Sequence, residues 1–247
     1  MRYVSGIRPT GNIHLGNYLG AIRQWKTLPK SSVFFIADLH SNATIGDVAA
    51  TIDALNKVGI NPIIESHYSE EILSIYHKLS LTTPIGWLKR MTQFKDKSQT
   101  EDATLALLAY PVLMAADIFH FGGTHIPVGN DQLQHIELIR DIAKRHGYKP
   151  PEAVIGKYPR IMSLIDGTKK MSKSELNDMS RINITDAPEL IRKKISVAKT
   201  AMNFSDDTPE MRNLHIIYKA CGGLQKHSNF KDFKEELAEL IINELTI

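Results

Sequence analysis

Short apolar runs of strand character recur along the chain at intervals long enough to hold a helix, and this alternation limits its fold more than any other feature. Tyr3-Val4-Ser5, Val33-Phe34-Phe35-Ile36-Ala37, Ile63-Ile64 and Thr124-His125-Ile126-Pro127-Val128 read as strands. Between them lie stretches with helical spacing: Ala49 to Val58, closed by Gly59 as a C-cap, Glu70 to Leu79, and Gln132 to His146. Leu105 to Ala109 and Val112 to His120 are expected as two helical pieces split by Pro111. Strands alternating with helices imply an α/β fold whose parallel sheet is crossed by helices. Ligands in such sheets bind beyond the carboxyl ends of the strands. His40, Gly129-Asn130-Asp131-Gln132 and the Pro9-Thr10-Gly11 turn all fall at such ends. After Ser174 no further clear strand follows, and Glu189 to Val197 and Phe230 to Leu245 read as amphipathic helices. The expected organisation is therefore a larger α/β domain over 1–185 and a small all-helical domain over 186–247.

Composition excludes some classes. With 247 residues, 43% hydrophobic and 23% charged, the chain has the balance of a globular protein with a sizeable core. A formal charge of +3 is too small to signal nucleic-acid binding by itself, and the Arg192-Lys193-Lys194 cluster reads as a solvated helix face. The one cysteine, Cys221, rules out an internal disulfide and a multi-cysteine zinc site, which suits a reducing compartment. The chain opens on strand-like residues rather than an apolar signal segment, and the apolar run from Leu105 to Phe119 is broken by Pro111 and Asp117. The expectation is a cytoplasmic protein without a membrane partner.

Two segments carry chemistry. In Pro9-Thr10-Gly11-Asn12-Ile13-His14-Leu15-Gly16-Asn17 a strand turns through Pro and Gly into a helix, where backbone N–H groups and the helix dipole favour anions. His14 and Asn17, three apart, share one face there. Lys169-Lys170-Met171-Ser172-Lys173-Ser174 is a lysine-rich loop after the turn residues Asp166-Gly167. Its ammonium groups are point charges able to follow a moving anion and to stabilise charge on a leaving pyrophosphate. Alone, the first is an ordinary strand–helix turn and the second a hydrophilic surface turn. Together they describe a nucleotide site with a floor and a basic lid.

These segments resemble the HIGH and KMSKS signatures of class I aminoacyl-tRNA synthetases, with Asn17 in place of the last His. Gly6 to Gly11, His14 to Tyr18, Arg90 to Ser98, Tyr110 to Asp117 and Val128 to Gln132 further resemble the bacterial-type tryptophanyl-tRNA synthetases, in the same order and across residues 1 to about 245. The resemblance implies a Rossmann-like catalytic domain, a cytoplasmic homodimer, and a ligase of protein biosynthesis that forms tryptophanyl-adenylate from L-tryptophan and ATP before charging tRNA(Trp). It implies ATP contacts from Arg8, Thr10, His14, Gly16, Asn17, Gln93, Lys97, Gly129, Asp131, Ile161, Lys170, Met171, Ser172 and Lys173. Of these, His14, Lys170, Ser172 and Lys173 act in catalysis. Mg2+ is expected to travel with ATP, held by phosphate oxygens and water rather than by protein side chains. The family's further C-terminal helices imply that the 186–247 domain is incomplete at its C-terminus, and segments near 41–48, 61–64 and 147–158 are short for the family.

The same resemblance assigns the tryptophan pocket to Val4, His40, Tyr110, Met114, Asp117, Ile118, Ile126, Val128 and Gln132. Val4 stands where relatives often carry an aromatic residue, and Arg8 where some carry Gln. An indole N–H only donates, so a buried tryptophan needs one placed acceptor. Met114 and Asp117, three apart on a helix, offer a soft apolar contact beside a carboxylate. Met114 taken alone is ordinary core, whereas a carboxylate amid Leu, Met and Ala is costly without a partner. A tyrosine-specific enzyme of this fold and a non-catalytic tryptophan- or nucleotide-binding relative are the competing readings.

Overall fold

Val4–Ile7 (β1), Val33–Ile36 (β2) and Ile63–Ile64 (β3) form a parallel sheet in the order β1-β2-β3, and His125–Val128 (β4) pairs in parallel with Glu152–Ile155 (β5). Val4 lies opposite Val33 and Phe35 opposite Ile63. The two sheets meet at β1 and β4 through a single parallel bridge, Tyr3 to His125, and the Ser5 hydroxyl donates to the Pro127 carbonyl at 2.9 Å. The spatial order is thus β3-β2-β1-β4-β5, all parallel, as the alternation requires.

The computed structural model describes residues 1–10, 12–99, 102–129, 132–156, 160–173 and 175–246. Its contacts divide the chain into two units, one of Met1–Pro9, Leu28–Thr44 and Pro62–Ile155, the other of Thr10–Thr27, Ile45–Asn61 and Gly156–Ile247. The helices, in chain order, are Leu15–Asn17 (α1), Arg23–Trp25 (α2), Ile45–Lys57 (α3), Ser69–Ser80 (α4), Ile85–Lys89 (α5), Thr92–Ser98 (α6), Leu105–His120 (α7), Leu133–His146 (α8), Pro188–Val197 (α9), Pro209–Ala220 (α10) and Phe230–Leu245 (α11). A π-helical turn, Tyr18–Ile22, joins α1 to α2.

In the first unit α7 is one continuous helix, not the two pieces expected from Pro111. A proline inside a helix loses one hydrogen bond and crowds the preceding turn, at about 3 kcal/mol. Here Pro111, Val112, Ala115, Ala116 and Ile118 are all buried, and the apolar area they withdraw from water outweighs that local cost. The core they join includes Val4, Phe35, Ile72, Leu79, Ile126, Val128, Ile139 and Ile142. The strand β5, with its ends exposed, carries no alternation that would have marked it in the sequence.

In the second unit α11 holds the helix that begins at His14. Tyr18 donates its hydroxyl to Glu244 Oε1 at 3.0 Å, and Glu244 also pairs with Arg23 at 3.4 Å. Phe233 of α11 packs among the rings of Phe204, His215, Tyr218 and His227. The Arg192-Lys193-Lys194 cluster is not a uniformly solvated face. Lys194 is 0% exposed, with Nζ 2.6 Å from Asp178 and 2.7 Å from Asp186, while Arg192 pairs with Glu239 at 2.7 Å. The periodicity of α9 turns Lys194 inward beside Ile191 and Ile195, and only the two carboxylates make that position tolerable for an ammonium.

Removing one member of a buried ion group strands the others. Lys194→Ala is therefore expected to lower stability by about 3 kcal/mol, and Lys193→Ala, on the exposed face, by no more than about 0.5 kcal/mol. Urea unfolding of both variants tests this, and equal midpoints would contradict it.

Candidate functional site

His14 is the N-cap of α1 and is only 3% exposed. Its Nδ1 accepts the Asn17 N–H at 3.2 Å, and its own N–H donates to Asn17 Oδ1 at 3.3 Å, so the two residues satisfy each other's helix-end groups. Because Nδ1 accepts, the neutral ring carries its proton on Nε2 and presents a donor there. Burial lowers its pKa to about 3, helped by the charges of Lys173, Lys170 and Arg181. Gly16 fits because a Cβ there would meet the His14 ring at 3.0 Å. The segment 182–184 runs antiparallel beside this turn. Leu15 N–H donates to the Ile182 carbonyl at 2.7 Å and Ile184 N–H to the Ile13 carbonyl at 2.9 Å.

The lysine segment is one leg of a hairpin whose other leg is 161–163. Met171 N–H donates to the Ile161 carbonyl at 3.0 Å and Ser163 N–H to the Lys169 carbonyl at 2.8 Å. Met171 and Ile161 are buried, whereas Lys170 is exposed and Ser172 and Lys173 are half-buried. Asp166 shapes the turn by accepting from the Thr168 N–H and hydroxyl. At Gly167 a Cβ would fall 2.4 Å from the backbone of Pro209 and Glu210, so no larger residue fits that turn against the start of α10. From α10, Asn213 accepts the Met162 N–H and donates to the Met162 carbonyl, both at 2.9 Å. The apolar residues fix the hairpin and the lysines remain on its outer side.

In the first unit a polar cluster interrupts the apolar core. Asp117, on α7, is 1% exposed, and its Oδ2 lies 2.8 Å from His40 Nε2. Glu65, 0% exposed at the end of β3, has Oε1 3.6 Å from the same nitrogen. Burial raises the pKa of Glu65 strongly and the Asp117 charge adds to that shift; burial also raises Asp117. His40 is pushed down by burial, against the opposing pull of Glu65. Nearby, Tyr110 donates its hydroxyl to Gln93 Oε1 at 2.9 Å and also bonds His135 Nε2. Since the hydroxyl has one proton, His135 donates at Nε2 when Gln93 accepts.

The structure gathers Val4, Met114, Ile118, Ile126 and Val128 into one apolar cluster and joins His40 to Asp117. Gln132 caps the start of α8, its N–H donating to the Gly129 carbonyl at 3.0 Å. Arg8, Gln93, Lys97 and Gly129 belong to the first unit, and Thr10, His14, Gly16, Asn17, Ile161, Lys170, Met171, Ser172 and Lys173 to the second. Asp131 lies outside the described residues, as do Gly11, Asn130 and Ser174 of the quoted motifs. Sequence reasoning passed over Glu65, His135 and Asn183, and took Lys194 for part of a solvated helix face. Glu65 had a signal, since it follows the strand Ile63–Ile64 directly and so stands at a carboxyl end. His135 and Asn183 sit at a helical and a loop position that nothing in the sequence pattern singles out.

A parallel sheet, a histidine-capped helix start and a lysine hairpin are the parts of a class I synthetase. The family model described as tRNA synthetases class I (W and Y) matches residues 1–245, and the chain belongs to that family. Within it, a tryptophan–tRNA ligase of Rickettsia conorii is 43% identical, the match covering 98% of this chain and 84% of that protein. The crystal structure of tryptophanyl-tRNA synthetase from Mycoplasma pneumoniae superposes with a TM-score of 0.85 at 33% identity, covering 99% of this chain and 85% of that one. That of Campylobacter jejuni, solved with ADP and tryptophan, gives a TM-score of 0.77 at 29% identity, covering 99% and 86%.

The depressed pKa of His14 has a sign that can be measured. Between about 3 and the ordinary 6.5 the unfolded chain binds a proton that the folded chain refuses. Stability is therefore lost as pH falls below 6.5, by about 2 kcal/mol from His14 at pH 5. His14→Asn keeps a capping side chain and removes the titration. Urea unfolding at pH 7 and pH 5 should show the parent losing about 2 kcal/mol more than the variant; equal losses would mean that His14 is not held neutral.

Proposed function

We propose that the chain activates L-tryptophan with ATP and transfers it to tRNA(Trp). The observation that carries the choice of amino acid is Asp117, a buried carboxylate on the same helix face as Met114 whose Oδ1 accepts no N–H among the described residues. An indole N–H supplies that donor. The Campylobacter jejuni structure, complexed with ADP and tryptophan, fits the same reading.

In the first step a tryptophan carboxylate oxygen attacks the α-phosphorus of ATP. The new O–P bond forms as the bond to the β-phosphate oxygen breaks, and pyrophosphate leaves with that electron pair. In the second, the terminal ribose hydroxyl of the tRNA attacks the activated carbonyl, loses its proton, and AMP departs. No protein nucleophile is needed, so the residues act by position and charge. His14, neutral, serves the nucleotide as a hydrogen-bond donor through Nε2 rather than as a cation. Lys170 and Lys173 carry the positive charge that a departing pyrophosphate requires, with Ser172 beside them. Arg8, Thr10, Gly16, Asn17, Gln93, Lys97, Gly129, Ile161 and Met171 complete the nucleotide contacts in this reading. His40, Tyr110, Ile118, Ile126, Val128, Val4 and Gln132 enclose the amino acid.

Mg2+ belongs to this reading as a companion of ATP. Among the described residues the one group of His, Cys, Asp and Glu close enough to hold an ion is His40, Glu65 and Asp117. It does not suit Mg2+, which favours an octahedral oxygen shell with several waters, because the group is buried, includes an imidazole and has a carboxyl that burial keeps protonated. No helix among the described residues is long and apolar enough to cross a membrane. The same proposal includes a cytoplasmic homodimer, with 1–185 as catalytic domain and 186–247 as helical appendage.

ATP–pyrophosphate exchange tests the reading. Asp117→Ala should weaken tryptophan-dependent exchange by about 1.5–3 kcal/mol, the worth of a hydrogen bond to a charged group; unchanged dependence on tryptophan would remove Asp117 from the pocket. Lys173→Ala should slow adenylate formation far more than it weakens tryptophan binding, and equal losses would make the lysine segment merely structural. Exchange driven by tyrosine instead of tryptophan would favour the competing specificity.

A further inference from the structure

The buried cluster beside Asp117 contains a carboxyl that neither signature motif explains. Glu65 leaves β3 in a short turn that is clamped to the turn after β2. Glu65 Oε2 accepts the Leu39 N–H at 3.1 Å, and Asp38 Oδ1 accepts the Ser66 N–H at 3.0 Å. The clamp commits one Glu65 oxygen and aims the other at His40 and Asp117, whose ligand-type atoms lie with it inside 4.8 Å. His40 has one proton to give at Nε2, and at 2.8 Å it goes to Asp117 Oδ2 rather than to Glu65 at 3.6 Å. Among the described residues that leaves Glu65 Oε1 and Asp117 Oδ1 buried without an N–H donor. Two buried carboxylates this close cannot both be ionised; one shared proton relieves their repulsion and leaves Asp117 Oδ1 a second lone pair for an outside donor.

We propose that Glu65 is a positioning residue of the amino-acid pocket, holding the proton of a carboxyl pair so that Asp117 stays fixed and singly charged as acceptor for the substrate's indole N–H. This rests on the reading that the indole meets Asp117. The groups facing the pair are few. His40, from the turn after β2, faces both carboxyls, and His40 is in turn acted on by Arg8, from the chain beyond β1, and by Asp38. Burial disfavours charge on both carboxyls, and the His40 hydrogen bond, 2.8 Å to Asp117 against 3.6 Å to Glu65, favours the charged form of Asp117, so the proton belongs on Glu65. Once Glu65 ionises, in the alkaline range, the two like charges push apart and Asp117 loses its fixed place.

The test uses Glu65→Gln, which keeps a donor of the same shape but cannot ionise, and Glu65→Ala, which removes it. The parent's kcat/KM for tryptophan in ATP–pyrophosphate exchange should fall on an alkaline limb that Glu65→Gln abolishes while its acid limb, from Asp117, remains. Glu65→Ala should raise KM for tryptophan roughly three- to tenfold with kcat little changed. An alkaline limb that persists in Glu65→Gln, or an unchanged KM in Glu65→Ala, would overturn the proposal. Infrared difference spectra near neutral pH separate this from the functional reading. A protonated-carboxyl band present in the parent and lost in Glu65→Gln supports the shared proton, and its absence from the parent overturns it whatever the enzyme activates. The band present without any tryptophan-dependent exchange would overturn the functional reading and, with it, the role of Glu65 in it.

Discussion

One buried ammonium sets much of the second unit. Lys194 draws Asp178 and Asp186 to itself, and Asn183 donates to both carboxylates at 3.2 Å while its N–H reaches Asp186 at 2.9 Å. Asn183 is the middle of the segment that pairs with Ile13 to Leu15, so the ion group fixes the strand edge against which His14 rests. Arg181 extends it, bonding Asp178 at 2.9 Å and the Glu175 carbonyl just past the lysine segment at 2.7 Å. Buried ion pairs contribute little net stability, because desolvation consumes most of the attraction. Their effect is geometric: removal of any member leaves a buried charge, so alternatives to this arrangement are penalised. The two signature segments, far apart in sequence, gain a common reference in that constraint.

Burial does opposite work at two titratable clusters. In the second unit it strips the charge from His14, and the neighbouring lysines and Arg181 reinforce that direction, so the imidazole is a neutral donor among cations. In the first unit it disfavours charge on Glu65 and Asp117, and the Asp117 charge adds to the pressure on Glu65. Desolvation acts on whichever form is charged, so it lowers a base and raises an acid. In the proposed function that division suits phosphate chemistry: exposed Lys170 and half-buried Lys173 would supply charge, while the group at the helix start would supply direction.

The legible part of the chain was the part governed by periodicity and turn chemistry. Strands β1, β2 and β4 and the parallel sheet follow from short apolar runs separated by helices, and Gly59 and Gly147 close α3 and α8 at φ 77 and 74. His14 and Asn17 were readable as neighbours because a helix start puts them there. Pro111 misled because its local cost is visible in sequence and the burial that overrides it is not. Lys194 misled for the same reason, as its partners Asp178 and Asp186 lie in a loop whose path only the fold defines. Glu65 and His135 show the general limit: a buried polar cluster is assembled across elements, so its members carry no shared spacing.

That limit bears on how selectivity would arise. Met114, Ile118, Ile126 and Val128 give an apolar surface that discriminates poorly among large side chains, since shape alone separates ligands by only about 1–3 kcal/mol. The polar cluster changes the terms. An ionised acceptor buried short of its donors costs roughly 1–3 kcal/mol, and a ligand lacking an N–H at that point inherits the cost while an indole removes it. The discrimination then resides in a penalty that Asp117 carries before any ligand binds. It depends on the acceptor keeping one charge state and one position, which is why a carboxyl that never needs to touch the ligand can decide which ligand is admitted.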